Sequence, residues 1–308
     1  MSRVDEAMRR AGRGADEADV DPIAGPAEPY PIEMPARNPA PPDPVLVPLT
    51  VAARRESQHQ HDAAQSQGTS VFDRVHPQVM EKVVVDRRMP AVCREQYRRV
   101  SAVLHDAQAA NRTQVILVTS ALAGEGKTLT AANVAMTLSG SYRKRVLVID
   151  GDLRRPVMHQ IFRVETACGL ADGLDPTSDM KIVVRQISPL LALLPAGRPT
   201  PDPMATLISE RMRQLIQEAR TTFDWVVIDT PPLVLLPDAH LLASIADAAL
   251  LVVKAESTPH AMVKRAMDAM GSTKVLGVVL NKTSVAPHGG YDGYENYQYG
   301  PSSVAEGP

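Results

Sequence analysis

The chain has 308 residues, 44% of them hydrophobic and 22% charged, with a formal net charge of −2; that is room for one large domain with appendages. So even a balance supplies no global basic field, and nucleic acid is not expected as a partner. Cys93 and Cys168 lie far apart and form no metal or redox pattern, and no apolar run approaches the ~20 residues that span a bilayer.

The first residues, MSRVDEAMRRAGRGADEADV, are charged throughout and lack the apolar core of a signal peptide. A cytoplasmic chain is expected, with any membrane attachment made through a partner. Ten of the 26 prolines fall between Pro22 and Pro48, with few large apolar residues around them. Such a stretch buries too little surface to offset its ordering entropy, so residues 1–78 are expected to be a disordered Pro-rich arm.

From residue 79 the pattern changes. Ala91 to Ala109 reads as a helix. Strand-length apolar runs follow at Gln114–Thr119, Arg145–Ile149, Leu190–Leu194, Trp225–Ile228, Ala249–Val253 and Val275–Leu280. They are continuous and rich in Val, Ile and Leu, which suits strands buried on both faces of a parallel sheet. Ala131, Val134, Ala135 and Leu138 keep helical spacing between them, as do Met204, Leu207, Ile208, Met212, Leu215, Ile216 and Ala219. Alternation of this kind predicts a three-layer α/β fold over residues 79–284, a P-loop NTPase with a mostly parallel central sheet.

The loop Ala121-Leu-Ala-Gly-Glu-Gly-Lys127-Thr128 follows the first predicted strand and opens a helix, which is the setting of a phosphate-binding loop. Gly124 and Gly126 let backbone N–H groups turn inward, and the helix amino terminus favours an anion. Ala123, Gly124, Glu125, Gly126, Lys127, Thr128 and Leu129 are therefore the expected nucleotide-binding segment. Lys127 is expected on the β- and γ-phosphates, and the Thr128 hydroxyl on Mg²⁺. Ala121 replaces the usual first glycine.

Two strands end in carboxylates: VLVID150-G-D152-LRRP and VVID229-TPP. Ligands of open parallel sheets sit beyond the carboxyl ends of the strands, so Asp150, Asp152 and Asp229 should face the crevice that holds Lys127. Asp150 is the candidate catalytic base. Asp152 and Asp229, with Thr128, are the candidate metal ligands. Asn281-Lys-Thr-Ser284 has the first two residues of a guanine reader, but serine stands where its aspartate belongs, so ATP is expected over GTP. Asn281, at a strand end, is either an adenine contact or a plain turn residue.

Four of the seven tyrosines, Tyr291, Tyr294, Tyr297 and Tyr299, fall in YDGYENYQY within the Gly/Pro-rich tail, residues 285–308. They read as a phosphoacceptor cluster or, alternatively, as a partner-binding peptide. Ten residues separate Asn281 from Tyr291, a reach of roughly 33–36 Å, enough to meet a neighbouring subunit's site. A phenol of pKa near ~10 needs a base to attack phosphorus.

Together these features resemble the bacterial tyrosine kinases (BY-kinases) of capsule and exopolysaccharide loci, of the CpsD/CapB type. The resemblance runs from about Glu81 to Tyr299 and rests on the modified loop 121–128, VLVIDGDLRRP, VVIDTPP, LLPAGRPTPDPMATLIS and the tyrosine cluster. It implies a Mg²⁺–ATP-dependent autokinase that phosphorylates its tail in trans within a ring-shaped homo-oligomer. It also implies a membrane chain-length regulator as activator, a phosphotyrosine phosphatase as counterpart, and control of polymer length and export. The ParA/MinD ATPases are the alternative, a switch without kinase activity; they carry a signature lysine where this chain has Leu122. The family's Glu-x-x-Arg-x-x-Arg helix is matched by Glu95 and Arg98, but Ser101 takes the last position.

Overall fold

The computed structural model describes residues 50–52, 71–166, 168–175, 182–200, 202–234, 238–271 and 274–283. The tail tyrosines and most of the predicted arm lie outside them.

Eight strands form one sheet in the order β1-β4-β5-β3-β6-β2-β7-β8. They are β1 (Thr50–Ala52), β2 (Val115–Ser120), β3 (Val146–Asp150), β4 (Val183–Ser188), β5 (Leu191–Leu194), β6 (Trp225–Asp229), β7 (Ala248–Lys254) and β8 (Val275–Asn281). All neighbours are parallel except β4 and β5, an antiparallel hairpin. The six predicted runs are β2, β3 and β5 to β8, shifted by a residue or so. β4 escaped notice because Arg185 and Gln186 interrupt its apolar run. β1 pairs with β4 through Thr50↔Val183 to Ala52↔Arg185, so three residues of the stretch expected to be disordered form a strand. The apolar segment VLVPLTVA, where the prolines thin out, supplies it.

Alternate residues of the central strands enter two separate cores. Leu117, Leu147, Ile149, Val226 and Ile228 face one; Ile116, Val118, Val146, Val148 and Val227 face the other. This period of two within unbroken apolar runs is why neither face shows polar alternation.

Helices cover both faces. In chain order they are α1 (Val71–Arg74), α2 (Ala91–Asn111), α3 (Lys127–Gly140), α4 (Met158–Ile161), α5 (Leu170–Leu174), α6 (Pro203–Ile208), α7 (Glu210–Thr222), α8 (Asp238–Ile245) and α9 (His260–Met270), with a 3-10 turn at Pro77–Lys82. The predicted helix over 204–219 is in fact two. Ser209 is extended and its hydroxyl accepts the Met212 N–H at 3.2 Å, capping α7. Ile208, counted as a core position, is 52% exposed.

Helix α3 is buried from Thr130 to Ser139, beneath α2. Its Asn133 accepts the Val84 N–H at 2.8 Å and donates to the Lys82 carbonyl at 2.9 Å, which ties the segment before α2 to the phosphate-loop helix.

Candidate active site

β2 delivers the chain to the loop and α3 leaves it, with Lys127 as the first helical residue. Gly124 (φ 79°) and Gly126 (φ 95°) are both left-handed, a backbone that only glycine adopts without strain. Ala121 is buried and is not among the residues of positive φ. The first position of this loop therefore does not need its glycine.

Three side chains fasten the loop from outside. Glu125, 2% exposed, accepts the Leu122 N–H at 2.8 Å and the Thr258 hydroxyl. Asn281 Nδ2 donates to the Glu125 carbonyl at 2.8 Å, and Lys282 Nζ donates to the Gly124 carbonyl at 2.9 Å. Asn281 Oδ1 accepts the Lys282 N–H at 2.9 Å. The structure thus engages the Asn281 amide with the loop, where the sequence suggested an adenine contact or a turn. Glu125 likewise turns its carboxylate away as a brace. Leu129 packs its side chain against the core.

The structure brings the three aspartates close together. The β3–β6 register pairs Asp150 with Asp229, so the two leave the sheet side by side. Gly151 N–H donates to the Asp229 carbonyl at 2.8 Å. A Cβ at Gly151 would sit 2.8 Å from that same oxygen, so the tight passage needs glycine. Asp152 follows, with Oδ2 3.3 Å from Lys127 Nζ and Oδ1 accepting the Arg155 N–H at 3.0 Å.

Asp150 and Asp229 are fully buried, and three of their four carboxylate oxygens lack a hydrogen-bond partner; the fourth accepts the Met158 N–H at 3.0 Å. Burial pushes Asp229 up to about 7, against the opposing pull of the Lys127 charge and the Thr128 hydroxyl. Burial, and then the neighbouring Asp229 charge, push Asp150 well above the carboxylate range. Orphaned buried carboxylates at the mouth of a phosphate loop fit a bound cation. Among the described residues no three His, Cys, Asp or Glu cluster as a metal cage. Mg²⁺ at phosphates is held through one or two carboxylates, the phosphates and waters, so Asp152 and Asp229 with the Thr128 hydroxyl suit it.

Other motif residues serve as braces. Arg154 grips the buried Asp238 at the start of α8 through Nε (2.6 Å) and Nη2 (3.2 Å). Asp172 accepts the N–H groups of Gly169 (2.9 Å) and Arg198 (3.0 Å) and the Arg198 guanidinium (2.6 Å), which locks the PAGR turn. Sequence reasoning missed Asp238, Asp172, Thr258 and Lys282. Only Lys282 carried a signal, as part of the failed guanine reader. Ser101 is fully buried, whereas Glu95 and Arg98 form an exposed pair at 3.3 Å. A cavity of about 560 Å³ lined by His76, His159, Arg163 and Glu165 among others contains no predicted site residue.

The chain is similar to several known proteins. A family model described as ParA, NUBPL iron-transfer P-loop NTPase, matches residues 111–300. Cys93 and Cys168 are free thiols in separate segments, so the chain has no thiolate set for iron. The tyrosine-protein kinase YwqD of Bacillus subtilis is 34% identical over 65% of this chain and 85% of its own length. The tyrosine-protein kinase CpsD of Streptococcus agalactiae is 34% identical over 59% of this chain and 81% of its own. Among solved structures, the chimeric protein CapA2B2 aligns with TM-score 0.60 at 27% identity, covering 68% of this chain and 92% of that one. The kinase domain of the Escherichia coli tyrosine kinase ETK aligns with TM-score 0.57 at 27% identity, covering 64% and 80%. Loop, paired strand-end aspartates and relatives agree: the chain is a nucleotide-binding P-loop protein of the ParA type and belongs to the bacterial tyrosine kinase family.

Proposed function

We propose that the chain transfers the γ-phosphoryl group of Mg²⁺–ATP to Tyr291, Tyr294, Tyr297 and Tyr299 of a second copy of itself. The observation that carries this reading is the convergence of Lys127, Asp152 and two buried carboxylates, three of whose four oxygens lack a hydrogen-bond partner, at the phosphate loop. Lys127 neutralises the phosphates, and Thr128, Asp152 and Asp229 would hold Mg²⁺. That ion, when bound, supplies charge neutralisation across the β- and γ-phosphates. Asp150 accepts the phenolic proton as the tyrosine oxygen bonds to phosphorus and the bond to the β-phosphate oxygen breaks, releasing ADP. Burial raises its proton affinity, and it also requires the tyrosine to enter the strand-end crevice.

Exopolysaccharide export is the proposed setting. Support comes from the succinoglycan biosynthesis transport protein ExoP of Rhizobium meliloti, 34% identical over 78% of this chain and 32% of its own length. Among the described residues no helix is long and apolar enough to cross a membrane; attachment would run through a membrane chain-length regulator. A phosphotyrosine phosphatase would reset the tail. The exposed Glu95 and Arg98 offer a surface for a ring of copies.

The test is ³²P transfer from γ-labelled ATP. Label is expected on tail tyrosines, lost in Lys127→Met and in the four-fold Tyr→Phe tail. Wild-type labelling of the Phe variant would refute the tail as acceptor. ATP turnover without phosphotyrosine would instead favour a partition-type ATPase switch.

A further inference from the structure

We propose that Lys282, together with Asn281, is a positioning residue that pre-sets the phosphate loop from behind, and that its absence weakens nucleotide binding without harming the fold. The proposal rests on the nucleotide-site reading above and adds the device that orients the loop.

A phosphate loop works only if successive N–H groups point toward the anion. Loop backbone is free to rotate its peptide planes, and the left-handed glycines at 124 and 126 widen that freedom. A peptide is planar, so its N–H points opposite to its carbonyl. The Gly124 carbonyl is held by Lys282 Nζ at 2.9 Å, which directs the Glu125 N–H away from β8. The next carbonyl, of Glu125, is held by Asn281 Nδ2 at 2.8 Å, which directs the Gly126 N–H the same way. Two consecutive donors are thereby set by two consecutive residues of one strand end. A donor on each carbonyl also polarises its peptide and strengthens the N–H on the far side.

Local geometry supports a dedicated fit. A Cβ at Gly126 would lie 2.1 Å from Asn281 Nδ2, so this glycine makes room for Asn281 as well as taking a left-handed turn. Lys282 is itself left-handed (φ 56°), so the chain turns sharply there and leaves the strand. Glu125 holds the opposite flank: its carboxylate accepts the Thr258 hydroxyl and the Lys254 N–H at 3.4 Å. The ends of β7 and β8 thus form one clamp.

The experiment uses the full chain with a fluorescent ADP analogue and Mg²⁺, alongside thermal melting without nucleotide. Lys282→Met is expected to weaken binding by about tenfold, the scale of one hydrogen bond from a charged donor, with an unchanged melting temperature. The KM for ATP rises while kcat at saturating ATP is held. Lys282→Arg keeps a cationic donor and recovers most of the affinity. Lys274→Met is the control: that lysine sits just before the other end of β8, with Nζ 2.6 Å from the Ala243 carbonyl, and its loss leaves affinity unaltered. Wild-type affinity in Lys282→Met overturns the proposal, as does equal weakening in Lys274→Met. A wild-type chain that binds no Mg²⁺–ADP defeats the nucleotide reading itself; equal binding by wild type and Lys282→Met defeats the clamp alone.

Discussion

Asp229 is one of two buried carboxyls that meet at the phosphate loop. Its two oxygens are buried and lack a hydrogen-bond partner, and burial pushes the carboxyl up to about 7 from its ordinary 3.8. The protonated form therefore favours the fold. This contribution is fully present below about pH 4 and is lost as pH rises through about 7; Asp150 shifts in the same direction. The Mg²⁺-free chain is expected to melt at a lower temperature at pH 8 than at pH 5.5, and Mg²⁺–ADP should shrink the difference, which calorimetry can follow. Asp229→Asn removes the buried charge, so the same melts should show higher stability at pH 8 without metal. Phosphoryl transfer by that variant should fall by about a hundredfold or more, as expected when charge stabilisation at the reacting phosphate is lost. The sequence placed this aspartate at a strand end; it could not say that the carboxylate would lie under the surface without a donor.

At the scale of elements, register decides the site. Pairing Asp150 with Asp229 follows from β3 and β6 being neighbours, although the two lie 79 positions apart in the chain. Gly151→Ala would drive a methyl against the Asp229 carbonyl and Leu242. Backbone in mid-sheet cannot yield, so a loss of ~1–3 kcal/mol is expected in denaturant melts, together with weaker Mg²⁺–nucleotide binding. Asp247 sets the start of β2 in a comparable way. Its Oδ2 accepts the N–H groups of Gln114 and Val115, both at 2.8 Å, and Arg220 grips both oxygens at 2.9 and 2.6 Å. Burial pushes this carboxyl up, but the Arg220 guanidinium and the two N–H groups outweigh it and hold it below the usual range. Its stabilisation is present above the ordinary carboxylate pKa and is lost as pH falls through the depressed value. Asp247→Ala should cost about 2–3 kcal/mol, with little effect on nucleotide affinity at neutral pH.

For the whole molecule, the sheet order keeps chemistry and periphery apart. Every described site residue comes from β2, β3, β6, β7, β8 or the segments that leave them, while β1 and β4 occupy the far edge. A chain beginning at residue 71 should therefore keep Mg²⁺–nucleotide binding, measured by the same fluorescence titration, and melt slightly lower for want of β1. A severe loss of binding would mean that the arm takes part in the site. At the opposite edge, Val278 and Leu280 of β8 are 50% and 59% exposed, although in sequence that strand reads like its buried neighbours.

By itself the sequence determined the class of fold and the chemistry of the loop. Both are written in short-range patterns: unbroken apolar runs for strands covered on two sides, helical spacing between them, and glycines with Lys127 and Thr128 at a strand-to-helix junction. It also marked the three aspartates, because Asp150 and Asp229 each end an apolar run and Asp152 follows the first of them by two residues. Only the tertiary structure decided which strands are neighbours, that Ser209 divides a helix, that residues 50–52 join the sheet, that Glu125 turns its carboxylate to the end of β7, and that Asn281 and Lys282 turn toward the loop. Those outcomes depend on contacts between residues far apart in the chain, or on backbone rotations at single residues, and neither leaves a periodic trace in the sequence.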